Sequence, residues 1–508
     1  MKEINEEEIQ RLKGQWNSFD GGEMWADSRH DYCNDLDILG QNSLFQLINR
    51  ASTKIGKEIL AKWLLAPASK SEIGDRQEAV QEITGKIEWR QEFQAAHASN
   101  VDEESKLTAL LEWLKKIITK PNNVSQFFYL TMTVLMVSSI VAWAIDITTY
   151  HPMLIIWLIN TGFLYKLQAE IRDLDSVYSK LSPLMKSYEK MMSMVENETF
   201  SARLLASIHA IFRSENTIAS EKLADLKSKL QYLDARSNMF YWVFNSFFLL
   251  DFWIVRGLNH WTIEHGKSLG KWTTAIGEME ALSSIAAYSF AHSHFVYPEI
   301  VEDPYTYEAQ EIVHPLILKG AVGNDFSLIK QGSIGIVTGS NMAGKSTFLR
   351  TLGINAVLAF AGAPVSAKKL KLSYFQVFTC MRTRDDLAEN ISSFYAELLR
   401  LKQLLTELES GKTVFFLLDE ILKGTNSADR HKGAEALIKK LSKMSGFGLV
   451  STHDLELGKM EDVLPNVKNL SFNARFDGDD LHFDYKLREG LCNSFNAAGL
   501  MRIMGIMD

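Results

Sequence analysis

Residues 334–347, IGIVTGSNMAGKST, decide how the C-terminal half is read: an apolar run, a glycine-containing loop ending in Gly-Lys-Ser, and the start of a helix. Residues 339–346, GSNMAGKS, fit GxxxxGK[ST] directly after a strand expected at Ile334–Thr338 and before a helix expected from about Thr347. Chemistry explains the spacing. The amides of Gly339, Ser340, Asn341, Met342, Ala343 and Gly344, with Thr347 in the first helical turn, can cradle phosphate at a helix N-terminus. Lys345 would neutralise β/γ oxygens and Ser346 would supply a Mg²⁺ ligand.

Two further β-rich runs extend this pattern downstream. Val414–Leu418 ends in Asp419-Glu420, where Asp419 can hold Mg²⁺ through water and Glu420 can polarise an attacking water. Gly448–Thr452 delivers His453 to a strand's carboxyl end, where open parallel sheets bind ligands, which makes His453 a candidate γ-phosphate sensor. From about Gly332 onward, short β-rich runs alternate with helical ones, the signature of a parallel α/β sheet.

At 508 residues the chain exceeds a single core, so two or three domains are expected. A net charge of -8 argues against a global positive field for gripping nucleic acid, leaving only a local basic face. The basic clusters Lys368, Lys369, Lys371 and Lys439, Lys440, Lys443 read more readily as solvated faces than as phosphate contacts. Cys33, Cys380 and Cys492 show no CxxC spacing, so neither a disulfide framework nor a zinc site is indicated. The acidic start MKEINEEEIQRLKG lacks a secretory pattern, and the catalytic portion is expected in the cytoplasm.

Residues 37–83 carry apolar side chains at helical spacing, including Leu60, Trp63 and Leu64, broken at Pro67. Phe127–Ile145 contains no charge and approaches the roughly 20 residues that span a bilayer. After the link Asp146–His151, a second apolar run reaches Tyr165. Lys115, Lys116 and Lys120 precede the pair, Lys166 and Arg172 follow it, and the link has no Lys or Arg, as the positive-inside rule requires of a hairpin with both ends cytoplasmic. The alternative is two buried core helices. A third run, Met239–Leu258, carries Asn245 and Asp251 and is expected to pack on the hairpin or lie at the interface without crossing. Leu167, Ile171, Leu174, Tyr178, Leu181, Met185, Tyr188, Met192 and Val195 form a heptad seam, continued by Leu223, Leu226, Leu230 and Leu233, which predicts an antiparallel helical arm kinked at Pro183.

TGSNMAGKSTFLR, DDLAENISSFYAEL, LLDEILKGTNSADR and STHDLEL stand in the order and form of ATPase domains of the MutS family, and LDILGQNSLFQLINRASTKIGKEILAKWLLAP resembles the start of that family's helical core. AIGEMEALSSIAAYSFAHSHFVYPEI with His314-Pro315 resembles the lead into the ATPase domain, so the likeness spans most of residues 37–505. The resemblance implies an α/β P-loop ATPase domain with an ABC-type parallel sheet, preceded by a mostly α-helical MutS-core-like domain that carries the transmembrane hairpin. The boundaries expected are 1–36 for an N-terminal extension, 37–125 for the helical region, 126–165 for the hairpin, 166–310 for a lever arm and 311–508 for the ATPase domain.

The resemblance also implies ATP and Mg²⁺ as cofactors, Lys345, Glu420 and His453 as catalytic residues, and a homodimer that sandwiches two ATP molecules. Ser392 and Ser393 match the signature that reaches the partner subunit's nucleotide, and Asp429 lies in the D-loop; Ser392-Ser393 can equally cap the helix expected at Phe394–Leu401. Only about 36 residues precede the helical core, too few for the family's mismatch-reading and connector domains, and no counterpart of its DNA clamp is evident. The function expected is an ATP-binding and hydrolysing switch, DNA-associated and anchored in the cytoplasmic membrane. The alternative is a membrane-bound mechanoenzyme acting on a protein or lipid.

Overall fold

The computed structural model describes residues 1–97, 123–214, 217–233, 236, 238–340, 342–382, 393–477 and 480–492. The chain forms two compact units: residues 51–57 and 88–280 with Met1, and residues 2–50, 58–87 and 281–508. This division departs from the boundaries drawn on the sequence, because residues 2–50 cluster with the C-terminal part of the chain. The reason is visible in the packing: Asp35 accepts hydrogen bonds from Thr379 Oγ1 at 2.8 Å and from the amides of Met381 and Arg382 at 3.0 Å each. Asp37 adds an ion pair with Arg382 at 2.6 Å.

Among the described residues the larger unit contains ten strands, β1 Glu299–Val301, β2 Thr306–Ile312, β3 Asn324–Ile329, β4 Ile334–Gly339, β5 Lys369–Ser373, β6 Gln376–Cys380, β7 Val414–Asp419, β8 Gly446–Thr452, β9 Val467–Asp477 and β10 Asp480–Glu489. The main sheet has the order β10-β9-β4-β8-β7-β6, parallel throughout except for β10, which pairs antiparallel with β9. A second sheet runs β1-β5-β2-β3. Every residue of β4, β7 and β8 is buried, as expected for strands covered on both faces, and this is why they read as unbroken apolar runs.

Between the sheets lies an aromatic core. Tyr307 of β2 stacks 4.9 Å from Phe415 of β7, which in turn meets Phe375 and Phe447 at 5.1 and 5.0 Å. The buried Tyr307 hydroxyl is satisfied by the Leu352 carbonyl at 2.9 Å. Gly448 sets the spacing of the central strands, since a Cβ there would stand 1.9 Å from the Phe416 carbonyl oxygen.

The other unit is helical. Helices Asn123–Ala144 and His151–Glu196 are joined by a short turn, with Asp146 at φ 57°. The second helix continues through Pro183, and Ala219–Gln231 lies antiparallel along its far half. Lys227 meets Glu189 at 2.6 Å, the Ser220 amide donates to Glu196 at 2.8 Å, and Leu223, Leu226 and Leu230 are buried with Tyr188, Met192 and Val195. This is the antiparallel arm that the leucine spacing predicts. The side chains of Leu167, Ile171, Leu174, Tyr178 and Leu181 lie outside the described residues. Phe127–Ala144 is apolar, with mean hydropathy 1.8, and only 6% of it is buried.

Candidate nucleotide site

The loop after β4 turns sharply, and its glycines are required where they stand. Gly339 has φ 156°, and a Cβ there would lie 2.7 Å from the Phe472 carbonyl oxygen; Gly344 has φ 104° and caps the helix Lys345–Ala361. Helix formation begins at Lys345, two residues before the expected start, so the amides of Lys345, Ser346 and Thr347 form its first turn. Lys345 Nζ folds back to donate to Gly339 O at 2.9 Å and Ser340 O at 3.1 Å, and stands 4.0 Å from Glu420 Oε1. Burial lowers the Lys345 pKa, with Glu420 and Asp419 opposing that shift. The buried Ser340 hydroxyl has no hydrogen-bond partner among the described residues.

Beside the loop, parallel pairing brings the carboxyl ends of β7 and β8 together. Asp419 is opposite Ser451 in the register, and Ser451 Oγ donates to its carboxylate. Glu420 follows the strand at φ 52°; its amide donates to Ser451 O at 3.1 Å, and its carboxylate accepts from His453 Nε2 at 2.6 Å and from Lys423 Nζ at 3.0 Å. The hydrogen bond from His453, supported by Lys423, holds the Glu420 carboxyl down at about 2 despite an opposing contribution from burial.

A cavity of about 450 Å³ opens over the loop. Its polar wall holds Ser340, Met342, Gly344, Lys345, Ser346, Thr347 and Glu420, and its other wall holds His314, Ile317, Val322, Phe472 and Tyr485. Asp419 and His453 join this group through Ser451 and Glu420. Gly339 contributes the carbonyl that holds Lys345, while Ala343 is buried beneath the loop. Asn341 and Ser392 lie outside the described residues. Ser393 begins the helix Ser393–Glu409 and its side chain lies outside the described residues; Asp429 is engaged locally, its amide bonded to Asn426 Oδ1 at 2.9 Å, and does not line the cavity.

The apolar wall escapes sequence reasoning. Tyr485 sits on edge strand β10 at φ 53°, close enough that a Cβ on Gly344 would meet its ring at 3.2 Å. Nothing in its local sequence marks that contact; it depends on Asn324, which donates to Tyr485 O at 3.1 Å and accepts from the Leu487 amide at 2.8 Å. His314 is held neutral by burial and by the nearby Arg350 guanidinium, with its pKa lowered to about 4. Lys423 was likewise visible only as part of a motif, and its ion pair with Glu420 appears in the fold.

These features define a phosphate-loop protein built on a parallel sheet. Residues 335–504 match the profile of MutS domain V. The DNA mismatch repair protein MutS of Aquifex pyrophilus is 25% identical over 92% of this chain and 58% of its own length. Those of Persephonella marina (strain DSM 14350 / EX-H1) and Staphylococcus haemolyticus (strain JCSC1435) are 30% and 31% identical, each over 47% of this chain and 28% of their own length. Residues 335–504 thus carry a likeness to MutS domain V, and the chain is similar to a MutS protein over most of its length. It spans little more than half the length of the Aquifex relative and about a quarter of the other two.

Proposed function

We propose that this protein is an ATP-binding and hydrolysing switch that works as a homodimer, associates with DNA and is anchored in the cytoplasmic membrane with its ATPase unit in the cytoplasm. The observation that carries the catalytic part is the convergence of Lys345 and Glu420 on one cavity, with His453 bonded to Glu420 behind it, although long stretches of sequence separate the three. The cavity fits a nucleoside triphosphate. Its volume lies within the range of small-molecule sites, with a cationic, amide-rich wall for phosphates and a wall of neutral His314, Ile317 and Tyr485 for a base. The Ser340 hydroxyl, without a partner among the described residues, is a polar group available to a phosphate oxygen.

Ser346 and Asp419 supply hard oxygen donors, which suits Mg²⁺ because that ion keeps several waters and takes few protein ligands. When bound there, Mg²⁺ would supply positive charge to offset the negative charge developing on the phosphates. Lys345 exchanges its two backbone carbonyl partners for phosphate oxygens, Glu420 holds and polarises the attacking water, and His453, within reach of Glu420, orients that carboxylate.

Support for membrane anchoring comes from Phe127–Ala144: its helix of 22 residues is about 33 Å long at 1.5 Å per residue, against a hydrocarbon layer of about 30 Å. Val134, Val141 and Trp143 on that helix, and Leu154 and Leu158 on the next, are exposed. That exposed apolar surface also favours the second reading, a membrane-bound mechanoenzyme acting on a protein or lipid. The deciding experiment measures ATP turnover of the detergent-purified protein with and without DNA over a salt series. Stimulation that falls steeply with salt supports the DNA-associated switch, since phosphate contacts release counterions. Unchanged turnover at saturating DNA, with no salt-dependent binding, leaves the second reading.

A further inference from the structure

The third apolar run is broken in two. A helix at Met239–Phe248 ends at Leu249, which has φ 54°, and a new helix starts at Leu250. Ten residues at about 1.5 Å rise reach about 15 Å, half of a hydrocarbon layer of roughly 30 Å. This helix by itself is too short to cross a bilayer, yet its surface is that of a membrane element.

Its polar groups are paired, and Asn245 and Asp251 are buried. Asn238 caps the Phe240 amide at 3.0 Å, Asn245 Oδ1 accepts from the Asp251 amide at 2.9 Å, and Tyr241 OH donates to Asp251 Oδ1 at 2.6 Å. Arg236 lies 3.2 Å from the same buried carboxylate. On the side facing the hairpin, Trp157 Nε1 donates to Ser246 Oγ at 2.9 Å and Asn160 Nδ2 to Phe247 O at 3.2 Å. What remains outward is Phe240, Trp242, Val243 and Phe244, between 49% and 71% exposed. A water-facing helix would present polar groups there instead.

Contacts with the hairpin set the depth. Phe252 stacks on Tyr129 at 3.8 Å, and Tyr129 lies 5.8 Å from Phe163, so the polar cluster around Asp251 stands level with the hairpin's open end. Trp157 and Asn160, which hold Ser246 and Phe247, are one to two turns farther toward the link. The outward residues continue the exposed apolar surface of the hairpin. Exposed Arg256, 5.6 Å over Trp253, adds a cation beside an aromatic ring at the open end, the pairing found at headgroup level.

We propose that Met239–Phe248 is a re-entrant wedge: it enters the lipid leaflet on the side of the hairpin's two ends, packs against acyl chains with Phe240, Trp242, Val243 and Phe244, and turns back at Leu249 with the Arg236–Asp251 pair at headgroup depth. This rests on the reading of the hairpin as membrane-spanning. The test uses the full chain reconstituted in phosphatidylcholine and phosphatidylglycerol vesicles, with a polarity-sensitive dye on Val243→Cys or, separately, on Val137→Cys at the middle of the hairpin helix. Both positions are exposed, whereas the native thiols are buried and serve as the unlabelled control. Nitroxides at shallow and deep acyl positions and aqueous iodide then report depth.

The expected result is that Val243 is quenched most by shallow nitroxides and Val137 most by deep ones. Iodide quenching at Val243 with deep quenching at Val137 overturns the wedge and leaves the hairpin standing. Deep quenching at both makes the segment a third span and also overturns the wedge. Iodide quenching at both removes the membrane reading itself, and the wedge with it.

Discussion

His453 Nε2 donates a 2.6 Å hydrogen bond to Glu420 Oε1, while Lys423 approaches Oε2 of the same carboxylate at 3.0 Å. Both oxygens of the residue assigned to polarise water are therefore engaged by the protein. Each oxygen keeps a further lone pair that can accept from a water, so the two partners fix the carboxylate's orientation without blocking it.

The roles of Lys345 and Glu420 separate cleanly. Lys345→Ala removes the cation facing the phosphates and should abolish measurable ATP binding. Glu420→Gln keeps the side chain's size and should retain ATP affinity within a few-fold while lowering turnover by about 100-fold or more, the scale of losing a preorganised catalytic group. Equilibrium binding with a fluorescent ATP analogue and steady-state turnover read the two effects; equal loss of affinity in both variants would contradict the assignment.

The depressed Glu420 pKa predicts a slope in stability. With a folded-state value of about 2, below the ordinary carboxylate range, the unfolded chain takes up this proton first as pH falls. The stabilisation is fully present above the unfolded value and is lost progressively as pH drops toward 2. Glu420→Gln has no such group, so the stability gap between the native protein and this variant should narrow between pH 6 and 3.5 in urea denaturation of the nucleotide-free protein. Parallel pH dependences would show that His453 and Lys423 do not favour the charged carboxylate.

Gly448→Ala should destabilise the sheet. The added Cβ would stand 1.9 Å from a backbone oxygen of the adjacent strand, which cannot rotate away as a side chain could. The expected loss is about 1–3 kcal/mol, the usual cost of overpacking a core, visible as a lower thermal midpoint and weaker ATP binding. Gly74→Ala, inside the helix Lys70–Thr84 where a Cβ meets nothing within 4 Å, is the control: it should lower neither and, as a helix-interior Gly→Ala change, should raise the thermal midpoint slightly.

If Ser393 acts across a dimer, mixing Lys345→Ala with Ser393→Arg subunits should restore part of the turnover, because some heterodimers then hold one intact composite site. Size analysis must first show that mixed dimers form. No recovery in their presence would remove the assignment in trans and leave Ser393 as the first residue of its helix.

For topology, cysteines placed at Thr149, Ser105 and Ser179 should differ in intact cells, with only Thr149 reacting with an impermeant thiol reagent added outside. Labelling of Ser179 without Ser105 would reveal an odd number of crossings between them. Recovery of the whole protein in the soluble fraction would remove the membrane reading.

The sequence by itself determined the phosphate loop, the three site-bearing strands, the leucine-lined arm and the polar Asn245 and Asp251 that interrupt the apolar run Met239–Leu258. These are local matters: a glycine loop between strand and helix, unbroken apolar runs for strands covered on both faces, heptad spacing, and polar residues inside an apolar stretch. Only the tertiary structure decided that residues 2–50 pack with the C-terminal sheet, that Tyr485 and His314 wall the cavity, and that Lys423 and His453 share the Glu420 carboxylate. A parallel sheet lines up strand ends that are distant in sequence, and side chains meeting there carry no spacing signal. The N-terminal contacts depend on single aspartates, Asp35 and Asp37, finding amides and an arginine at the end of β6; that pairing exists only once the strand has been placed.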